Sequence, residues 1–369
     1  MKAKKIVALL LAVMMVFAFT ACSNNQGNDG GTASGDKPYI AVVSKGFQHQ
    51  FWQVVHKGAQ AAADQYGVDI TFEGPPSESD IGPQVDMLKS ALAKNPSAIC
   101  LAALDTDAVI EQLNQAKTKN IPVIGFDSGI PNAPEGTVAA NASTDNYKAA
   151  EIAAEQLFAS PEFIAALEKG TEADPVLIPV LSQDATSESI INRTAGFVDK
   201  LKSLIEEKDG FKDAVEVTGH TTFAKKAAGT PRVIIDVGVS ATTGITDTTT
   251  TATQALSKPN VIAIYCSNNG TVDGLLAATN DGADFDKTNG KYKDILAVGF
   301  DSGKGQKNAV ANGWFYGSVT QDPYSIGFKA VELAYKAYMG EQVSDVDTGA
   351  KWYNKDNINS EEIKDLLYD

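Results

Sequence analysis

The chain has 369 residues, 43% apolar and 21% charged, with a formal net charge of −15. So acidic a surface excludes nucleic acid as a partner, because phosphate binding needs a basic face; its plain reading is solubility. Three His with no paired spacing argue against a zinc site.

The first segment reads as a targeting signal. Lys2, Lys4 and Lys5 precede an apolar run over 6–19, and Thr20 and Ala21 lead into Cys22. A basic start, a short apolar stretch and small residues describe a secretory signal peptide over 1–21. The run of 14 residues falls short of the roughly 20 needed to span a bilayer. The segment Phe19-Thr20-Ala21-Cys22 resembles a bacterial lipobox. That resemblance implies acylation of Cys22, palmitate among the acyl groups, and an extracytoplasmic protein lipid-anchored to the cell membrane; two or more acyl chains hold stably where one does not. Loss of the three signal lysines takes the net charge to −18. Residues 22–36, rich in Ser, Asn, Gly and Asp, read as a flexible tether.

From residue 37 onward the chain alternates strand and helix. Continuous apolar runs at 39–43, 98–102, 121–126, 176–181, 261–265 and 295–300 read as strands buried on both faces, with further strands at 68–72 and 215–217. Helical spacing predicts helices over 51–66, 85–93, 108–119, 147–158 and 187–205. Alternation of this kind predicts parallel sheets with right-handed crossovers, and two sets predict two α/β lobes. The threonine-rich stretch 242–253 is open between a helix with Asp247 near its start and a surface loop. Cys100 and Cys266 sit inside strand-like runs and read as buried free thiols.

In open α/β sheets ligands bind beyond the carboxyl ends of the strands. The residues there include Lys45, Phe51 and Trp52 in the first half, then Asp105, Asp107 and Asp127. In the second half they are Gln183, Asp184, Asn268, Asn269, Asp301 and Gln321, with Arg193 on a helix. Ile124-Gly125-Phe126-Asp127-Ser128-Gly129 and Val298-Gly299-Phe300-Asp301-Ser302-Gly303 echo each other, each placing a carboxylate at a strand tip. Carboxylates accept, Arg donates in a fork, amides do both, and aromatic faces suit a sugar ring. Asp107 and Asn269 read better as solvated loop polars; Arg193, alone among apolar helical positions, needs a partner. Enzyme readings fare poorly: there is no Gly-x-Ser-x-Gly elbow, P-loop or Gly-x-Gly-x-x-Gly, and Asp127 with Asp301 as a glycosidase pair has no other support. Asp284, Asp286 and Asn289 lack calcium-loop spacing.

From residue 37 to the C-terminus these segments resemble the ribose-binding type of periplasmic sugar-binding proteins of bacterial ABC importers. The segments are Phe51-Trp52, Lys57-Gly58-Ala59, 121–127, 193–197, Ser267-Asn268-Asn269, 298–301 and Thr320-Gln321. The resemblance implies the type I periplasmic binding protein fold: α/β, two Rossmann-like lobes with parallel sheets joined by a three-crossover hinge. The lobes would comprise 37–143 plus 322–345 and 144–321 plus 346–369, with crossovers near 142–145, 321–323 and 344–348. It places ligand residues at Asp127, Arg193, Asn268, Asp301 and Gln321, stacking aromatics at Phe51 and Trp52, and a polar contact at His49. It implies a monomer without a cofactor that is not an enzyme, that takes a small sugar or polyol and meets an ABC permease and ATPase. Two features depart from ribose binders: Ser128 stands where they carry Arg, and Lys45 is added. Autoinducer-2 binding relatives use a Lys where Lys45 stands and an Asp where Asp127 stands, which makes signal binding, or a sensory sugar receptor, the alternative. Phe223 is the candidate for a third aromatic from the second lobe.

Overall fold

A computed structural model of the protein describes residues 37–368. The signal segment, Cys22 and the tether lie outside the described residues.

The first lobe starts with β1 (Tyr39–Val43), α1 (Gln50–Tyr66), β2 (Asp69–Glu73), α2 (Ile81–Ala93), β3 (Ala98–Leu101), α3 (Ile110–Thr118), β4 (Val123–Phe126) and β5 (Ala140–Ser143). Strands β1, β3 and β4 are apolar on both faces because helices cover both sides of the sheet. The chain then enters the second lobe with α4 (Asn146–Phe158), α5 (Pro161–Leu167), β6 (Val176–Ser182), α6 (Glu188–Glu206), β7 (Val215–Gly219), β8 (Val233–Val239), α7 (Ile245–Leu256), β9 (Ala263–Cys266), α8 (Asn269–Ala277), β10 (Leu296–Phe300), α9 (Lys304–Ala311) and β11 (Phe315–Gln321). Helix α10 (Pro323–Tyr338) and β12 (Val346–Asp347) return to the first lobe, and β13 (Ala350–Tyr353) and α11 (Glu361–Lys364) follow.

The first sheet runs β12-β5-β4-β3-β1-β2 and the second β13-β11-β10-β9-β6-β8-β7. Among the described residues, every pairing between these strands is parallel except β11 with β13. Helix α10 lies against α1 so closely that a Cβ on Gly58 would sit 2.0 Å from the Tyr324 carbonyl oxygen, and one on Gly327 1.9 Å from that of Val55. These two glycines are therefore what lets a late helix dock on the first lobe.

The chain passes between the sheets at 144–145, at Asp322 and at 348–349. One expected boundary moves: Val346–Asp347 pairs with Ala142 and Ser143 in the first sheet, so the third passage follows Asp347 rather than residue 345. Tyr368 likewise packs in the first-lobe core rather than the second. The threonine-rich stretch is a helix, α7, whose face Thr248, Ala252, Ala255 and Leu256 is buried at i, i+4, i+7, i+8 spacing. The second sheet is one strand wider than the first, because 220–232 loops back between the parallel neighbours β7 and β8 without a helix. Cys100 and Cys266 are buried and free.

Candidate ligand-binding site

The carboxyl ends of the two sheets face each other across a cleft, and a cavity lies between them. Its lining contains all nine residues proposed from the sequence: Lys45, His49, Phe51, Trp52 and Asp127 from the first lobe, Arg193, Asn268, Asp301 and Gln321 from the second. Glu78, Ile190, Asn269 and Gly270 complete it.

The first lobe presents Lys45 from the tip of β1. That tip is fixed by the buried Gln84, whose Nε2 donates to the Ser44 and Ala102 carbonyls at 2.9 and 2.8 Å. Lys45 Nζ lies 3.0 Å from Asp127 Oδ2 and donates to Ser189 Oγ of the other lobe at 2.9 Å. Burial disfavours its charge, yet the surrounding Asp127, Glu78 and Asp184 outweigh that and raise its pKa. Glu78 answers it. Burial pushes its carboxyl up, but Lys45, His49 and the donors Trp52 and Gln183 bring it below the usual range. The Trp52 indole N–H donates to Glu78 Oε1 at 2.7 Å, and its ring stands edge-on to Phe51 and Phe126.

In the second lobe Arg193 has found the partners its position required. Its Nε donates to Asn146 Oδ1 at 2.8 Å, its Nη1 lies 3.5 Å from Asp301 Oδ2, and the guanidinium stacks 4.1 Å from the Phe300 ring centre. Asp301 also accepts from Gln321 Nε2 at 2.7 Å and from the Asn269 amide at 2.9 Å. Asn268 caps α8, its Oδ1 accepting from the Thr271 amide at 3.1 Å, while its Nδ2 donates to Gln183 Oε1.

Three buried acceptors of these lining residues lack a hydrogen-bond donor: Asp127 Oδ2, Asn269 Oδ1 and Gln321 Oε1. The first is at ion-pair distance from Lys45 without hydrogen-bond alignment. Unmet buried acceptors are costly, so a lining that keeps them suits a partner rich in donors.

The lobes are closed on each other. Gln183 Nε2 donates to Glu78 Oε2 at 2.8 Å, the Gly129 amide to Glu188 Oε2 at 3.0 Å, and the Thr243 amide to Ser79 Oγ at 2.8 Å.

Two sequence expectations are corrected here, and one lining residue is new. Phe223 is 3% exposed within the second-lobe core and does not line the cavity, which has Ile190 instead of a third aromatic. Asn269 belongs to the site rather than to a solvated loop. Glu78 was missed altogether; it stands in a Pro- and Ser-rich loop whose approach to Trp52 is a tertiary event. Asp107 does read as a loop polar: its amide and that of Ala108 donate to Asp105 Oδ1 at 2.9 Å.

Two parallel-sheeted lobes, three passages of chain between them and a polar closed cleft define a type I periplasmic binding protein. The chain belongs to the periplasmic binding protein domain family, which it matches over residues 40–342. It is 25% identical over 320 residues to the D-allose-binding periplasmic protein of Escherichia coli (strain K12), covering 86% of this chain and 90% of that one. It is 24% identical over 343 residues to the ribose import binding protein RbsB of the same strain, covering 93% and 95%. Among solved structures, an ABC transporter, LacI family transcriptional regulator from Brachyspira murdochii is 43% identical with a TM-score of 0.74, over 90% of this chain and 99% of that one. An ABC transporter solute binding protein from Agrobacterium vitis with bound D-fucose is 29% identical with a TM-score of 0.72, over 89% and 100%. Among the described residues, no helix is long and apolar enough to cross a membrane.

Proposed function

We propose that this protein is an extracytoplasmic solute-binding lipoprotein that closes on a small neutral sugar or polyol and delivers it to the permease and ATPase of an ABC importer. The observation that carries the reading is a closed cavity whose wall brings the carboxylates Asp127 and Asp301, the donors Arg193 and Asn268, and two aromatic rings together. Hydroxyl groups supply donors to Asp127, Asn269 and Gln321 and accept from Arg193 and Asn268; the apolar face of a ring lies against Phe51 or Trp52. Relatives named for D-allose and ribose, and a relative with bound D-fucose, support an aldose. A lipid on Cys22, with 22–36 as tether, would keep the trap beside its permease, and a monomer suffices.

Lys45 favours one second reading, a signal molecule of the autoinducer-2 class or a sensory role, because ribose binders lack that cation. A thermal-shift screen of pentoses, hexoses, polyols and autoinducer-2 decides: a rise in Tm with a sugar supports the first reading, a rise with autoinducer-2 alone supports the second, and no rise with any contradicts both.

A further inference from the structure

The cavity does not end at Glu78. Beyond the hydrogen bond from Gln183 to Glu78 lies a second, larger compartment, which is lined by both residues and shares Glu78 with the first cavity's wall. Its lining comes from the loops after β2, β6, β7 and β8, the same carboxyl-end position that defines the first cavity. On the second lobe its lining follows the strands β6, β8 and β7 at one edge of the sheet, opposite the loop that carries Ser79. His220, Ser240, Thr242 and Thr243 give it polar walls, and Ile81 and Val239 give it an apolar patch. The Thr243 hydroxyl meets Ser77 and Ser79 of the other lobe at 3.1 and 3.0 Å, closing its outer side. The start of the threonine-rich stretch thus acquires a place in the cleft.

Resting on the sugar reading above, we infer that this compartment takes the second ring or polar aglycone of a glycoside whose first ring fills the inner cavity. The partition between the two is the side-chain pair Glu78 and Gln183, joined by one hydrogen bond, and a glycosidic oxygen with its neighbouring hydroxyls can take over both Glu78 as acceptor and Gln183 as donor. A serine or threonine hydroxyl that already donates can still accept, so Ser240 and Thr242 keep capacity for ligand hydroxyls. The ligand class is therefore short, neutral glycosides as well as free monosaccharides.

The test uses isothermal titration of the protein with D-glucose, D-galactose, D-ribose and D-xylose, each beside its methyl and 4-nitrophenyl glycosides, and with cellobiose and lactose. At least one glycoside is expected to bind within about tenfold of its parent sugar, a difference of about 1.4 kcal/mol or less. Ala241→Trp fills the compartment from an exposed position. It is expected to weaken that glycoside by at least about tenfold and to leave the parent within about twofold. His220→Ala, which removes bulk, should weaken the glycoside without affecting the parent. Parent binding with no glycoside binding, or glycoside binding indifferent to Ala241→Trp and His220→Ala, overturns the inference while the sugar reading stands. No binding by any of these compounds overturns the inference, and the screen described above then judges the sugar reading separately.

Discussion

Asp127 and Asp301, in opposite lobes, hold the same unusual backbone conformation, with φ of 57° and 77°. Each follows an apolar strand ending in Gly-Phe, and each amide donates to the neighbouring strand, to Ala142 O at 3.0 Å and Val319 O at 2.7 Å. Asp tolerates the left-handed region better than most side chains but still pays about 1 kcal/mol or more to be there. The same strained turn is thus built twice, and each time it brings a carboxylate to the cleft beside a cation, Lys45 or Arg193.

Replacing Asp301 by Ala strands Arg193, Gln321 and the Asn269 amide at once. Removing one partner of a buried ion pair costs about 3–5 kcal/mol. The Asp301→Ala variant is expected to melt well below the parent in a calorimetric scan and to bind sugar at least about a hundredfold more weakly.

Asp273, hydrogen-bonded to Asn269 at 2.8 Å, gives the fold a pH dependence. Burial lifts its carboxyl to about 6 against the pull of His49 and Asn269, with Asp301 adding to the rise. A raised carboxyl pKa means the folded state holds the proton more tightly than the unfolded one. Its contribution is full below about pH 4 and is lost as the pH rises through about 6. Asp273→Asn is expected to match the parent in denaturant melts near pH 4 and to exceed it at pH 7 by about 2–3 kcal/mol at most. Equal stability of the two at both pH values would count against a buried, protonated Asp273.

The bonds between the lobes weight the closed form. Gln183→Ala removes the Glu78 contact and Ser189→Ala the Lys45 contact. Each of these is worth about 1 kcal/mol, so the double variant is expected to shift ligand-free protein toward a larger radius of gyration in small-angle scattering. Its apparent Kd should rise by about threefold to thirtyfold.

Ser128 is buried, and its Oγ accepts from the Ser189 amide at 3.2 Å across the cleft. A side chain as long as Arg at this buried position would have to displace that contact. Ser128→Arg is therefore expected to hold the lobes apart and lower both Tm and affinity, rather than convert the site into a ribose binder; titration with D-ribose checks this.

The strands that read most clearly from the sequence, β1, β3, β4, β6 and β10, are those buried on both faces, where apolar runs leave no ambiguity. The rule that ligands sit beyond strand tips then gathered eight lining residues from positions as distant as Lys45 and Gln321, and the family resemblance added His49. What escaped has physical reasons. Strand β8 alternates buried and half-buried residues and follows a loop instead of a helix, so it carried no crossover signal. In α7 threonine is a poor helix former, and the helix is rescued by tertiary burial while Thr250, Thr251 and Thr253 bond the carbonyls four residues back. Glu78 and Gln183 meet only when two lobes close, which no local pattern encodes.

The most direct test of the account is isothermal titration of the protein, beside Asp301→Ala and Asp127→Ala, with a panel of neutral pentoses, hexoses and polyols. One or more panel members binding the parent one to one, with the heat lost in both variants, is the predicted result. Silence across the panel, or unchanged affinity in either variant, would contradict a sugar held between the two strand-tip carboxylates.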